Sequence, residues 1–390
     1  MICHTMRREK QRRAAACGRE AALKRHIGRQ RLICSVIALL MGALVVVLGG
    51  CSDRVLVDGA VSVIGENTLG VPDAGSQGVG GILTVPEGTT PSAPVVTLPR
   101  DEIEPEPYDP ADYPDAYADS EHRMYVEFLD TGKSDCILIR MDDKVILVDT
   151  GESEGDVEDY GRIKGRLEGY GITVIDCLII THYDNDHIGS AHRVLRDYTV
   201  RTVYMPDYVR HSSRYRAMME MLEAVEDRTV LKRLQGEEIT VPMGYGSLVI
   251  HASALYERGQ VASSSGDPER EADENDYSLI TSVYFGETSL LLLGDAERAR
   301  MEEFKEGRTE TYDLVKTPHH GGTDQGLRQF LYAATPTYCV VCTDDASQVQ
   351  AQLATDMTNL CGADHWYVTA GGTVRFSTNG KDITVEQYKK

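Results

Sequence analysis

Short apolar runs alternate with stretches of helical periodicity over most of the chain after residue 122. Branched residues bounded by polar turns are typical of buried strands, and apolar positions three or four apart are typical of amphipathic helices. Strands are predicted at residues 124–129, 136–141, 144–148, 172–180, 199–205, 229–234, 247–253, 278–285, 289–293, 314–317, 338–342, 366–369, 372–377 and 383–387. Helices are predicted at residues 156–169, 191–196, 212–225, 296–305, 326–333 and 347–359. This mixed order indicates the α/β class and suits two sheets packed face to face with helices outside.

Polar residues follow the apolar strand at 172–180 at once. His182, Asp184, Asp186 and His187 lie within one short turn after that strand. Imidazole and carboxylate groups are the usual protein ligands of zinc, manganese and iron. The alternative is a solvated polar turn with no ligand. Four such side chains on one turn can converge on a single point, so the stretch predicts a metal site.

Two later strands also end in residues that bind metals. The apolar run at 289–293 is followed by Gly294 and Asp295, and the run at 314–317 is followed by Pro318, His319 and His320. Glycines beside these residues let the backbone turn tightly. Either stretch alone is a weak signal. Because all three stretches follow apolar strands in this order, they favour one shared site over three unrelated turns.

The order His-x-Asp-x-Asp-His, Gly-Asp and Pro-His-His-Gly resembles the metallo-β-lactamase superfamily. The greatest likeness is to the extracytoplasmic hydrolase domain of the ComEC-type competence proteins. Residues 128–139 and the turn Asp149-Thr150-Gly151 resemble two further segments of that group. The resemblance covers residues 122–390 and implies a four-layer αββα sandwich for this part of the chain.

The resemblance also implies a ligand set for two neighbouring ions, with Asp295 between them. The ions implied are one or two Zn²⁺, with Mn²⁺ as the alternative. Asp149 is expected to orient a ligand histidine rather than to bind metal itself. His182, Asp184 and Asp295 would hold one ion, and Asp186, His187, Asp295 and one of His319 and His320 would hold the other.

The same resemblance implies hydrolysis by water that the metal activates. A bound metal lowers the pKa of water, so that hydroxide forms at neutral pH and attacks phosphorus or a carbonyl carbon. Asp186, His319 and His320 are the expected catalytic residues. Whichever of His319 and His320 is not a ligand would donate a proton or bind the leaving group. The sequence leaves that choice open.

The chain departs from the superfamily pattern at several positions. Lys133 and Ser134 replace a Gln-Gly pair, and Asp184 stands where most members carry a second histidine. Many members have a further ligand histidine between the first motif and Gly-Asp. The candidates considered in that interval are His211 and His251, and each is predicted to be a surface or packing residue. These departures predict a weakly liganded or empty first metal position.

The start of the chain resembles an export signal. Residues 1–31 are basic, residues 32–48 are apolar, and Leu48-Gly49-Gly50-Cys51 resembles a bacterial lipoprotein cleavage site. Residues 1–50 are therefore interpreted as a signal peptide and Cys51 as the lipidated residue. An uncleaved signal anchor is the alternative. Residues 51–121 are rich in Gly, Pro and acids and are predicted to form an extended tether. Both interpretations place residues 122–390 outside the cytoplasm, attached to the membrane.

Charge bears on the substrate. The net charge of the chain is −21, and no basic stripe is evident, which disfavours extensive contact with a nucleic-acid backbone. The first hypothesis is nevertheless a membrane-tethered phosphodiesterase or nuclease, with DNA among the substrates, because bound metals add positive charge at the reacting group. Other esters are the second hypothesis: a cell-surface choline-phosphate ester, a lactone or, least favoured, a β-lactam. The third is a non-catalytic surface protein with a vestigial metal site.

Overall fold

The computed structural model describes residues 103–112, 115–152, 157–262, 273–322 and 326–388. The predicted signal peptide, Cys51 and most of the predicted tether lie outside these residues. Within the described ranges, no helix combines the length and the apolar character that crossing a membrane requires.

One sheet has eight strands. They are β1 (Met124–Phe128), β2 (Ile137–Met141), β3 (Lys144–Val148), β4 (Val174–Ile179), β5 (Thr199–Pro206), β6 (Val230–Leu234), β14 (Val374–Thr378) and β15 (Ile383–Gln387). Their order across the sheet is β15-β14-β1-β2-β3-β4-β5-β6. Pairing is antiparallel from β15 to β3 and parallel from β3 to β6, so β3 to β6 end at the same edge.

The other sheet has seven strands. They are β7 (Glu238–Met243), β8 (Gly246–His251), β9 (Ile280–Phe285), β10 (Thr288–Leu292), β11 (Leu314–Lys316), β12 (Tyr338–Val341) and β13 (Trp366–Val368). The order is β13-β12-β11-β10-β9-β8-β7. Strands β10 to β13 pair in parallel, and the remaining pairs are antiparallel.

Helices cover the outer face of each sheet. They are α1 (Val157–Gly169), α2 (Asn185–Ile188), α3 (Ala191–Asp197), α4 (Ser213–Ala224), α5 (Arg298–Lys305), α6 (Leu327–Ala334) and α7 (Ala351–Cys361). Buried side chains of α1, α3 and α4 share one apolar cluster with the eight-stranded sheet, and those of α5, α6 and α7 share another with the seven-stranded sheet.

A third apolar cluster fills the space between the two sheets. The run of leucines in and after β10 shows how the layers divide. Leu290 and Leu292 pack in the cluster between the sheets, whereas Leu291 and Leu293 pack against the outer helices. A strand buried on both faces needs such a continuous apolar run. The predicted four-layer αββα sandwich is confirmed.

Strand β7 is absent from the sequence-based assignment. Its side chains alternate between exposed and half-buried, so its apolar signal is weak. It contains Pro242, which lacks a backbone N–H and argues against a central strand. In the structure β7 is the edge of its sheet and pairs only with β8 among the described strands. Proline is tolerated at such an edge.

Residues 103–108, which we call the strap, pack along α1. Ile103 is buried in the apolar cluster of that helix, and the Glu106 N–H donates to the Gly161 carbonyl at 2.8 Å. Lys164 Nζ donates to the Ile103 carbonyl, also at 2.8 Å. The strap belongs to the stretch that the sequence predicts to be an extended tether. Its packing differs from that expectation because α1 presents glycines to it, which permit close backbone approach.

Candidate metal centre

The polar residues predicted to form a site follow strands of both sheets. After β4 the chain passes through Thr181 and His182 into α2, which carries Asp186 and His187. After β10 it turns at Gly294, whose φ is +56°, and reaches Asp295. After β11 it reaches His319 and His320, which both have positive φ. The three strand ends lie at facing edges of the two sheets, so their side chains meet across the sandwich.

Four side chains form a compact group, which we call the central cluster: Asp186, His187, Asp295 and His320. One potential ligand atom from each lies within 4.8 Å of the others. Asp295 Oδ2 is 3.3 Å from His187 Nε2 and 3.2 Å from His320 Nε2. Asp186 Oδ2 is 3.2 Å from His320 Nε2. Two carboxylates and two imidazoles at this spacing fit a divalent ion such as Zn²⁺.

Hydrogen bonds on the outer side of each imidazole fix its orientation. His187 Nδ1 lies 2.7 Å from Asp149 Oδ2, and His320 Nδ1 lies 2.9 Å from the Cys342 carbonyl oxygen. Because both partners are acceptors, each Nδ1 carries the proton and donates it. The Nε2 atoms of His187 and His320 point into the cluster, buried and without a hydrogen-bond partner among the described residues. In the neutral imidazoles these atoms carry lone pairs, as metal ligands require.

The cluster is strongly coupled in charge. Burial would raise the pKa of Asp186, but His320 and His187 lower it to about 2. Burial would also raise the pKa of Asp295, but His320 and His187 hold it well below its usual range. Conversely, burial would lower the pKa of His320, but Asp295 and Asp186 raise it to about 10. Both carboxylates are therefore charged at neutral pH, and a metal ion would compete with protons for the imidazoles.

Asp149 lies outside the cluster, behind His187. It is fully buried with φ of 57°, and it accepts hydrogen bonds from the Thr181 N–H at 2.8 Å and the Thr181 hydroxyl at 2.7 Å. Asp149 contacts Nδ1 of His187, whereas Asp295 faces Nε2 of the same ring. This geometry suits a residue that orients the imidazole rather than one that binds the ion.

The other predicted metal position is built differently. His182 is fully buried, and its Nε2 lies 3.5 Å from Asp184 Oδ2. Asp184 also accepts a hydrogen bond from Arg210, which makes a second ion pair with Glu274. In the described part of the chain, no group of three or more close ligand atoms contains His182 or Asp184. The residues predicted for this position are near one another but do not converge as the central cluster does.

The structure separates the two adjacent histidines. His320 is buried and faces Asp186 and Asp295, whereas the side chain of His319 is 45% exposed. His319 Nδ1 lies 3.1 Å from Glu297 Oε1, and the hydrogen bond with this carboxylate raises the pKa of His319. The backbone N–H of His319 donates to Asp295 Oδ1 at 3.2 Å. His320 therefore belongs to the central cluster, and His319 lies beside it.

A cavity of about 470 Å³ lies against this side of the cluster. Its wall is polar, and it includes an exposed lysine, Lys133, from the loop that departs from the superfamily pattern. A substrate in this cavity would contact both histidines of the pair. The lining residues are Lys133, Glu297, His319, His320, Gly322, Gln348 and Gln350.

A buried ion pair supports the cluster from behind, and sequence reasoning missed it. Lys316 is fully buried and donates to the carboxylate of Asp135 and, at 3.0 Å, to the Gly294 carbonyl. Its Nζ is 3.7 Å from Asp295 Oδ1. Burial would lower the pKa of Lys316, but Asp135 and Asp295 raise it. The sequence does carry a signal for this pair, because Lys316 ends an apolar strand that is predicted to be buried. Lysine is almost never fully buried unless it is paired, so an acidic partner could have been expected.

The two candidate histidines from the interval before Asp295, His211 and His251, lie outside the cluster. His251 is buried on β8, where its Nε2 is 3.1 Å from Ser282 Oγ and its Nδ1 is 3.2 Å from Glu238 Oε2. His211 is exposed. These placements agree with the predicted packing and surface roles.

Comparison with known proteins gives the same family as the sequence motifs. A family profile described as the metallo-beta-lactamase superfamily matches residues 129–343. ComE operon protein 3 of Bacillus subtilis (strain 168) is 24% identical over 238 residues, which cover 55% of this chain and 28% of that protein. Recombination protein 2 of Haemophilus influenzae (strain ATCC 51907 / DSM 11121 / KW20 / Rd) is 26% identical over 217 residues, which cover 55% of this chain and 24% of that protein. The chain thus spans about a quarter of the length of these curated relatives.

Solved structures with some likeness include two bacterial proteins. The metallo-beta-lactamase fold protein YhfI from Bacillus subtilis has a TM-score of 0.41 and 14% identity, and the match covers 66% of this chain and 99% of that one. Zn²⁺-bound PqqB from Methylobacterium extorquens has a TM-score of 0.36 and 11% identity, with 64% of this chain and 99% of that one covered.

Proposed function

The chain belongs to the metallo-β-lactamase superfamily of hydrolases, and on that basis we propose that it is a metal-dependent phosphodiesterase of the ComEC type. The observation that carries the proposal is the central cluster. Its two buried imidazoles point their Nε2 atoms toward two charged carboxylates, and these Nε2 atoms have no hydrogen-bond partner among the described residues. We propose Zn²⁺ as the ion, with Mn²⁺ as the alternative.

The residues of the central cluster and those that support it have separate tasks in this proposal. A divalent ion held by Asp186, His187, Asp295 and His320 would activate water and stabilise negative charge on oxygen. Asp149 and the Cys342 carbonyl would keep the two imidazoles oriented, through the Nδ1 hydrogen bonds described above. Lys316 would hold Asp295 and Asp135 in place without touching the substrate.

His319 and Lys133 supply the groups that would face a phosphodiester. His319 Nδ1 is held by Glu297, which leaves Nε2 to donate a proton to the leaving oxygen. Lys133 gives the cavity wall a positive charge in a chain whose net charge is −21. A positive charge at this place supports an anionic substrate over a neutral lactone or carboxylic ester.

The relatives support a substrate class. One is named for the ComE operon and another for recombination, and on that likeness we propose a nucleic-acid strand as one substrate. The acidic chain would contact such a strand mainly at the reacting phosphate, since like charges elsewhere would repel its backbone.

We also propose that the protein acts outside the cytoplasm, attached to a membrane. The basic and apolar residues before Cys51 support a lipoprotein signal, with lipid on Cys51 and the acidic stretch as a spacer. An uncleaved signal anchor is the alternative. The mass of the mature N-terminal peptide distinguishes the two, because only the first begins at a lipid-modified Cys51.

The hydrolase is tested with the full-length chain. We would measure bound metal by elemental analysis and hydrolysis of bis-p-nitrophenyl phosphate with Zn²⁺ or Mn²⁺. Asp186→Asn and Asp295→Asn should each lower activity by more than about a hundredfold, since each replaces a charged carboxylate of the cluster itself by a neutral amide, and loss of a group behind the ligands already costs about 10- to 100-fold. Asp143→Asn removes an exposed carboxylate on the β2–β3 turn and should leave activity unchanged.

Two other outcomes would redirect the proposal. If no metal binds under any loading condition, the enzyme assignment fails and a surface protein with a vestigial site remains. If metal binds without phosphodiesterase activity, the hydrolase assignment stands, and carboxylic esters, lactones and choline-phosphate esters become the substrates to test.

A further inference from the structure

We infer that the centre holds a single divalent ion and that the guanidinium of Arg210 takes the place of a second ion beside His182 and Asp184. The inference rests on the proposed function, because it concerns the same centre. It differs from the two-ion ligand set that the family resemblance implies, and it gives a physical reason for the weakly liganded or empty first position that the departures from the family pattern predict.

The first observation is the position of the Arg210 guanidinium. Its Nη1 is bound by two carboxylates at once, those of Asp184 and Glu274. Glu274 is only 5% exposed, and its other oxygen accepts a hydrogen bond from the Tyr208 hydroxyl at 2.8 Å. Both oxygens of Glu274 and one oxygen of Asp184 are therefore already satisfied. A permanent positive charge occupies the place where these carboxylates would otherwise attract a metal ion.

The second observation is that the fold holds Arg210 in this place. Tyr208 is fully buried, and its hydroxyl accepts a hydrogen bond from the Tyr183 N–H at 2.8 Å, next to His182. Val209 forms an isolated bridge with Val261, with hydrogen bonds of 2.7 and 2.8 Å on either side. The two residues before Arg210 are thus fixed, and the arginine projects from a braced segment rather than from a loose surface turn.

The third observation concerns Asp295, the residue expected to bridge two ions. Its Oδ2 faces the imidazoles of the central cluster. Its Oδ1 instead accepts the His319 N–H at 3.2 Å and lies 3.7 Å from Lys316 Nζ. One oxygen of Asp295 is therefore directed to protein donors, and only the other faces the central cluster, where an ion would bind.

These contacts have a chemical consequence. Arginine has five N–H donors and a planar shape that matches phosphate oxygens, so it can stabilise the negative charge that a second ion would otherwise stabilise. An ion in the same place would be repelled by the guanidinium and would have to displace it from both carboxylates. His182 Nε2, which has no hydrogen-bond partner among the described residues, is left to accept a hydrogen bond from water or substrate.

The test is a count of ions on the full-length chain loaded with excess Mn²⁺ and, separately, Zn²⁺. Native mass spectrometry and elemental analysis should give one ion per chain, and the electron paramagnetic resonance spectrum should show the hyperfine pattern of isolated Mn²⁺. Arg210→Met should gain a second ion and show magnetic coupling between the two. Arg210→Lys keeps the charge and should bind one ion. Arg216→Met, at an exposed position of α4, is the matched control and should also bind one.

Opposite results would overturn the inference. Two ions or coupled spins in the wild-type chain would show that Arg210 does not replace a metal. One ion in a folded Arg210→Met chain would show that Arg210 is not what excludes the second. If that variant does not fold, the wild-type count decides alone. A wild-type chain that binds no ion would sink the proposed function and this inference together, an outcome distinct from a count of two.

Discussion

A Cβ atom on Gly165 of α1 would lie 1.9 Å from the carbonyl oxygen of Glu106 in the strap. A Cβ atom on either of the glycines one turn away on the same face would also contact the strap closely. A Cβ on Gly161 would lie 3.0 Å from the Glu104 carbonyl oxygen, and one on Gly169 would lie 2.6 Å from the Tyr108 ring. Because the atoms at the first two positions belong to the strap backbone, they cannot move aside as a flexible side chain can. The strap fits only where α1 has no side chains.

Gly165→Ala is therefore expected to destabilise the protein. In an isolated helix the change would stabilise by about 1 kcal/mol, because alanine has the higher helix propensity. Here overpacking against Glu106 should reverse the sign and lower the free energy of unfolding by about 1–3 kcal/mol. Urea unfolding measures the change, and limited proteolysis should show earlier cleavage at 103–112. Glu168→Ala, on the exposed side of α1, should change little. A more stable Gly165→Ala chain would mean that the strap does not pack here.

The Lys316–Asp135 pair predicts strong coupling between two substitutions. Lys316→Met leaves the carboxylate of Asp135 buried without its cation, which should lower the free energy of unfolding by about 3–5 kcal/mol. Adding Asp135→Asn removes the stranded charge, so the double variant should lose much less than the sum of the single losses. Urea unfolding of the four proteins measures the coupling. Lys144→Met breaks an exposed pair with Asp143 and serves as control. Additive losses would contradict the prediction.

His251 predicts how stability depends on pH. Burial, with help from Arg308 and Arg300, lowers its pKa to about 4. An unfolded histidine titrates at a pKa of about 6.5, so between these values the unfolded chain binds a proton that the folded chain refuses. The free energy of unfolding should therefore decrease as pH falls from about 6.5 toward 4. His251→Gln should reduce this slope in urea unfolding at pH 7.5 and 5, whereas His211→Gln, at an exposed position, should retain it. Equal slopes in all three proteins would show that another group dominates.

Asp149→Asn predicts a loss of metal affinity with little change of fold. Asparagine tolerates the positive φ at this position and can still accept the Thr181 N–H. It lacks the charge that holds His187 Nδ1–H, so affinity should fall by about 10- to 100-fold. Competition with a fluorescent chelator measures affinity, and circular dichroism checks the fold. Unchanged affinity would show that His187 is oriented by other contacts.

The sequence was most informative where function depends on neighbours in the chain. Asp186 and His187 lie together after one strand, and Asp295 and His320 each follow another strand directly, so all four could be named in advance. The four-layer fold followed from the likeness of these motifs to a known family rather than from composition.

Long-range contacts were not visible in the same way. Arg210 is 26 positions from Asp184, and they meet only because β5 lies beside β4 in the sheet. The choice between His319 and His320 depends on backbone angles that the motif does not encode. By contrast, the strap had a readable signal, because Gly161, Gly165 and Gly169 recur every four residues on a predicted helix, and such a face marks close backbone approach.

The central cluster draws its members from both halves of the sandwich. Asp186 and His187 follow β4 of the eight-stranded sheet, whereas Asp295 and His320 follow strands of the seven-stranded sheet. An ion bound by all four would be a crosslink between the two sheets, and its binding energy would add to the free energy of unfolding. The amount of bound metal should then determine how long the protein stays folded as well as how fast it turns over substrate. A chelator should therefore lower the stability of the fold, as a denaturant does.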